Sequence, residues 1–147
     1  MNRFSLTPSL FAALAAVLLV LPATPAQADP QKAEACLAQI TPAVVSNGRR
    51  IRATDVASAG PQEAVTYRLT LYKGLSYVLI GCADGEGVDL DMRLFDEAGD
   101  LVSSDGSPDN QPFVDVSPSK TGEYALQVMV YQSDTKTDFA LAVSYQD

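Results

Sequence analysis

The chain has 147 residues, with 18 acidic and 10 basic side chains, two cysteines, no histidine and no tryptophan, and a net charge of −8. Without histidine, neither a Ser-His-Asp nor a Cys-His catalytic arrangement can be assembled. The sign of the charge argues against nucleic acid or an anionic membrane surface as a partner.

Residues 1–28 read as a secretory signal. Arg3 supplies the positive start, Leu10 to Leu21 the apolar core, and Ala26-Gln27-Ala28 the small-x-small cleavage site. The apolar run is 12 residues long and ends at Pro22, short of the ~20 residues a membrane-spanning helix needs. Cleavage after Ala28 would leave 119 residues carrying a net charge of −9. The expected product is exported to the periplasm or outside the cell, has no membrane anchor in its mature form, and is the size of one domain. In that oxidising setting Cys36 and Cys82 are expected to form a disulfide. No Cys-x-x-Cys and no histidine accompany them, so a structural bond is favoured over a redox or zinc pair.

Asp29-Pro30 has the form of an N-cap followed by a first-turn proline. Ala33, Cys36, Leu37 and Ile40 then fall at helical spacing, which predicts a short amphipathic helix over 29–42 that ends at Thr41-Pro42. The remainder, 43–147, reads as strands. Ala43-Val44-Val45 is apolar and Asn47-Gly48 is turn-forming, while the cluster Arg49-Arg50-Ile51-Arg52 is read as a solvated turn and strand start running on to Val56. Ala57 to Glu63 is a loop. Val65, Tyr67, Leu69 and Leu71 mark one face of a strand ending at Tyr72. Ser76 to Ala83 is apolar almost throughout, as suits a strand covered on both faces, with Cys82 in phase with Val78 and Ile80. Val88 to Asp96 alternates, and Asp96 to Asp100 turns it into Leu101–Ser104 as a hairpin. Phe113–Val116 is a short strand. Tyr124 to Tyr131 and Phe139 to Tyr145 are long alternating strands expected to pair as a hairpin, and Tyr124 sits where a tyrosine corner would place its hydroxyl against backbone. Eight or nine short strands, one preceding helix and no β-α-β alternation predict an all-β, antiparallel β-sandwich.

The segments Tyr67-x-Leu69-x-Leu71-x-x-Gly74, Val88-Asp89-Leu90-Asp91-Met92-Arg93-Leu94-Phe95-Asp96-x-x-Gly99 and Thr121-Gly122-x-Tyr124-x-Leu126-x-Val128 resemble the bacterial pre-peptidase C-terminal domain family over roughly Val44 to Tyr145. The resemblance implies a jelly-roll-like sandwich, usually an accessory module of secreted peptidases and other exported proteins; some relatives bind calcium, and the collagen-binding modules of bacterial collagenases have a similar sandwich. This chain departs from that pattern because no catalytic domain accompanies the module, which would make it a stand-alone secreted member. The calcium-binding N-terminal segment of the collagen-binding relatives has no match in Asp29 to Asn47. Neither collagen binding nor that calcium site therefore carries over.

Asp89 and Asp91 share a strand face with Cα atoms roughly 7 Å apart, and are the candidate ligands for a hard cation. Asp84, Glu86, Asp105 and Asp109 are the residues that could complete the 6–8 oxygens calcium needs. The competing reading, which is favoured, pairs Asp91 with Arg93 or has Asp89 order the glycine-rich turn by accepting backbone N–H groups. Tyr72 and Tyr131 lie out of phase with the apolar faces of their strands and are candidate surface-binding aromatics, with Met129 beside Tyr131 as part of an apolar patch or covered by the N-terminal helix. The leading functional expectation is a non-catalytic exported module, without a cofactor, that binds or shields another macromolecule, a protein or cell-envelope component. A calcium-stabilised carbohydrate- or peptide-binding module is the alternative, and a carboxylate-based hydrolase ranks third.

Overall fold

The computed structural model describes residues 28–147; the signal-like segment lies outside the described residues apart from Ala28. One helix, α1 (Pro30–Ser46), precedes eight strands: β1 (Arg50–Ala59), β2 (Ala64–Leu71), β3 (Ser76–Ala83), β4 (Asp89–Phe95), β5 (Leu101–Asp105), β6 (Phe113–Val116), β7 (Gly122–Gln132) and β8 (Thr137–Gln146). They form two four-stranded sheets, in the orders β1-β8-β3-β6 and β2-β7-β4-β5, with neighbouring strands antiparallel throughout. That pair of orders is the jelly-roll winding, in which successive strands repeatedly cross from one sheet to the other.

The inner faces follow from strand alternation. Leu90, Met92 and Leu94 of β4, Tyr124, Leu126, Val128 and Val130 of β7, Tyr77 and Leu79 of β3, and Phe139, Leu141 and Val143 of β8 make one core between the sheets. Tyr124 donates its hydroxyl to the Lys120 carbonyl at 3.3 Å, as a tyrosine corner does. At the β4–β5 hairpin, Asp96 Oδ1 accepts the N–H groups of Ala98 and Asp100, and Gly99 takes a φ of +84°, which a side-chain-bearing residue adopts at a cost.

The long final strands do not pair with each other, contrary to the hairpin expected from sequence. β7 lies between β2 and β4, and β8 lies between β1 and β3 in the opposite sheet. Alternation identifies the buried face of a strand but not the sheet to which it belongs, and the polar 133–136 connection crosses the end of the sandwich. β8 is buried on both faces because its second face, with Ala140 and Ala142, receives the helix.

The helix also departs from expectation, running through Pro42 to Ser46 instead of ending at Thr41-Pro42. An internal proline costs about 3 kcal/mol. The apolar stripe nonetheless continues past it: Ala33, Cys36, Leu37 and Ile40 are followed by Val44, all packed on Val56, Val78, Ile80, Cys82, Ala140 and Ala142. Asp29 caps the start by accepting from the N–H groups of Gln31 and Lys32. Gly48, at φ +83°, ends the helix: its N–H donates to the Val45 carbonyl while the Arg49 N–H donates to the Val44 carbonyl, the paired bonds of a Schellman motif. Val44 and Val45 are thus helical, where their composition suggested a strand. The disulfide Cys36–Cys82 joins this helix to β3, with Cα atoms 5.8 Å apart.

Candidate functional site

The acidic residues are placed by the β4 strand and by the loops that close over its start. Asp89 and Asp91 alternate with the core residues Leu90 and Met92, so they face away from the sandwich interior. The 105–113 segment folds back there: the Leu90 N–H donates to the Asp109 carbonyl, and Gly106 lies against the Asp91 carboxylate. Asp91 is only 6% exposed, and its Oδ2 is 3.9 Å from Arg93 Nη2. Burial raises the Asp91 carboxyl above its ordinary range, the charge of Asp89 adds to the rise, and Arg93 opposes it. Asp89 is raised by burial and then by Asp109, and its Oδ1 is buried without a hydrogen-bond partner.

The supporting acids are largely committed to backbone. Asp105 accepts the Ser107 N–H at 3.0 Å and the Phe113 N–H at 2.9 Å. Burial pushes its carboxyl up, but those hydrogen bonds outweigh burial and leave it below the usual range. Asp109 accepts the Gln111 N–H at 2.9 Å. Asp84 is directed elsewhere: its Oδ2 accepts the Asp29 N–H at 2.7 Å and the Asp138 N–H at 3.3 Å, tying the start of the helix to β8. The structure therefore brings Asp89, Asp91, Asp105 and Asp109 into one electrostatic neighbourhood and sends Asp84 to another. Among the described residues, no group of three or more His, Cys, Asp or Glu side chains is arranged to hold a metal ion.

Two recesses lie away from this acidic strand. A groove of about 560 Å³ between α1 and β1 is lined by Glu34, Leu37, Ala38, Thr41, Thr54, Asp55, Val56 and Ala140. Its two acids, Glu34 and Asp55, are both exposed. A second cleft, of about 330 Å³, is lined by Arg52, Tyr72, Leu75, Tyr77 and Tyr145. Sequence reasoning placed Tyr72 at the surface, and it is 47% exposed; it did not assign Arg52, Leu75, Tyr77 or Tyr145 a part there.

A break in strand pairing aims Arg52 into this cleft. Ile51 pairs with Ser144 and Ala53 with Val143, so Arg52 is the inserted residue of a β-bulge. Its Nη1 donates to the Thr70 carbonyl at 2.7 Å across the open edge between the sheets, and its guanidinium lies 5.6 Å from the centre of the Tyr72 ring. The neighbouring arginines are also engaged. Arg49 Nη1 donates to the Ser76 carbonyl at 3.2 Å, and Arg50 lies 6.0 Å from the centre of the Tyr145 ring with Asp147 nearby. The basic cluster opens β1 with Arg50 and Arg52 exposed, as expected, and its side chains also rest on aromatic and backbone partners. The signal available in the sequence was that three of the ten basic residues fall within four positions.

Tyr131 is 48% exposed on β7, with Met129 half-buried on the same face. The helix does not cover Met129, because α1 packs against β1, β3 and β8 of the other sheet. No helix among the described residues is long and apolar enough to cross a membrane.

No protein-family model matches the chain, and no curated protein matches it. Among solved structures, it is similar to PliG of Aeromonas hydrophila, a periplasmic lysozyme inhibitor of g-type lysozyme. The match has 19% identity and a TM-score of 0.49 and covers 64% of this chain and 85% of that one.

Proposed function

We propose that this chain is a non-catalytic exported module that binds another protein of the cell envelope or its surroundings, using the end of the sandwich where Arg52 lies over Tyr72. The observation that carries the reading is the bulge at Arg52, which sets a guanidinium over a half-exposed aromatic ring at the mouth of a cleft. Bulges recur where a strand must re-aim a side chain, and arginine and tyrosine are the residue types that dominate binding energy at protein interfaces. The jelly-roll order supports kinship with the pre-peptidase C-terminal family. The engagement of Asp84, Asp105 and Asp109 with backbone N–H groups supports a structural role for these acids over a hydrolytic one.

The test places a photo-cross-linking amino acid at position 72 in the exporting cell, with a control at position 66 on the outward face of β2. A discrete adduct from position 72 alone supports the reading, and adducts from position 66 but not 72 overturn it.

One observation favours a second reading, a calcium-stabilised module: the unpartnered Oδ1 of Asp89 beside Asp91. A ligand that binds only the native state must raise its melting temperature, by about 2.7 kcal/mol of added stability at a hundredfold excess over Kd. Identical melting curves in millimolar calcium and in chelator would remove this reading.

A further inference from the structure

We infer that the Arg52 cleft receives a single carboxylate side chain, an aspartate or glutamate projecting from the partner protein's surface. The inference rests on the partner-protein reading above and names the chemistry of that site. A guanidinium carries five donors in a planar fork. Only Nη1 of Arg52 is committed, to the Thr70 carbonyl, and among the described residues no carboxylate lies within ion-pair distance of Arg52. Arg50, by contrast, already has Asp147 beside it. The Arg52 guanidinium carbon lies 5.6 Å from the centre of the Tyr72 ring, and the Tyr72 backbone is tied down by its N–H, which donates to the hydroxyl oxygen of the buried Tyr77 at 3.1 Å. The Thr70 bond and the Tyr72 ring both restrain the guanidinium, so less side-chain freedom is lost when an acceptor meets the remaining donors.

The rest of the molecule decides which anion fits. With a mature charge of −9, the protein repels a polyanion such as a sulfated glycan or nucleic acid along its whole length, because its own field opposes every added phosphate or sulfate. One carboxylate on an otherwise neutral or basic surface meets only the local arginines. Leu75 and Tyr145 supply partly exposed apolar walls for the methylene groups behind the carboxylate, and planar bidentate pairing is the geometry in which Arg outperforms Lys.

The experiment titrates the folded mature protein with acetyl-Phe-Glu-amide and with its uncharged counterpart acetyl-Phe-Gln-amide, followed by amide and arginine side-chain NMR. The expected result is saturable, millimolar shifts centred on Arg52, Thr70, Tyr72 and Leu75 with the glutamate probe, at least tenfold weaker with the glutamine probe. Arg52→Ala should abolish them, and Arg52→Lys, which keeps the charge but loses the fork, should weaken them severalfold. A melting curve on each variant confirms folding. Equal response to both probes, or unchanged binding by folded Arg52→Ala, overturns the inference. Failure of the glutamate probe while position 72 still cross-links a partner overturns the carboxylate chemistry alone. Probe binding with no adduct from position 72 overturns the partner-protein reading and leaves the anion cleft standing.

Discussion

Replacing both Cys36 and Cys82 with alanine should lower the melting temperature by about 16 °C. The bond closes a loop of sequence separation 46, and fixing the ends of such a loop removes about 4 kcal/mol of unfolded-chain entropy. With an unfolding entropy of ~2.1 cal/mol/K per residue, the 120 described residues give roughly 4 °C per kcal/mol. The loop contains β1 and β2, which belong to opposite sheets, so the cross-link restrains both halves of the sandwich. The helix packs on the central strands β8 and β3, so its loosening exposes Ile80, Ala140 and Ala142 together, and a single transition is expected. Circular dichroism melts of the oxidised protein and the C36A/C82A variant measure the effect. A fall of less than about 4 °C, or ~1 kcal/mol, would refute the entropy argument and mean that the apolar stripe from Ala33 to Val44 holds the helix unaided.

Two single substitutions test the packing. Tyr124→Phe removes the hydroxyl bonded to the Lys120 carbonyl and should cost about 1 kcal/mol in urea unfolding. Gly81→Ala would place a Cβ 2.9 Å from Pro112 Cγ and 3.0 Å from Met92 Sδ, and should cost about 1–3 kcal/mol by overpacking. The acids predict a pH profile with two opposed parts. Asp89 and Asp91 are raised in the folded state, so their contribution is fully present below the ordinary carboxylate pKa near 4 and is lost as pH rises through their elevated values. Asp105 is lowered, so its contribution is present above ~4 and is lost as pH falls through its depressed value. Urea melts across this range should show Asp91→Asn flattening the decline toward neutral pH and Asp105→Asn flattening the decline toward acid; an unchanged slope in either variant would contradict the corresponding assignment.

The strands were legible where side-chain alternation alone decides them. β3 has the limits its apolar run predicts, and its double burial follows from Tyr77 and Leu79 facing one way and Ile80 and Cys82 the other. The helix end was misread because Pro42 is a strong local stop signal, whereas the burial of Val44 that outweighs it depends on a sheet made from distant sequence. The β7–β8 hairpin was misread for a related reason: proximity in the chain favours pairing, but each strand has a better partner on both sides in its own sheet. At the acidic strand, alternation correctly turned Asp89 and Asp91 outward. It could not reveal that Asp84 is drawn away to the Asp29 and Asp138 N–H groups, since hydrogen bonds across 55 and 54 positions leave no local trace. Arg52 was missed because a bulge is a property of two strands in register and not of either one alone.

The first element of the described chain rests on its last strand, and β8 is also what joins β1 to β3. As the chain is made from its N-terminal end, the helix appears early, but β8, on which it docks, is the last of the described strands to be added. Cys36 and Cys82 can meet before then, whereas the sheet that buries their bond cannot close. Closure of this sheet therefore waits for residues 137–146, and a chain stopped before them would leave the apolar stripe of the helix and the outer face of β3 uncovered.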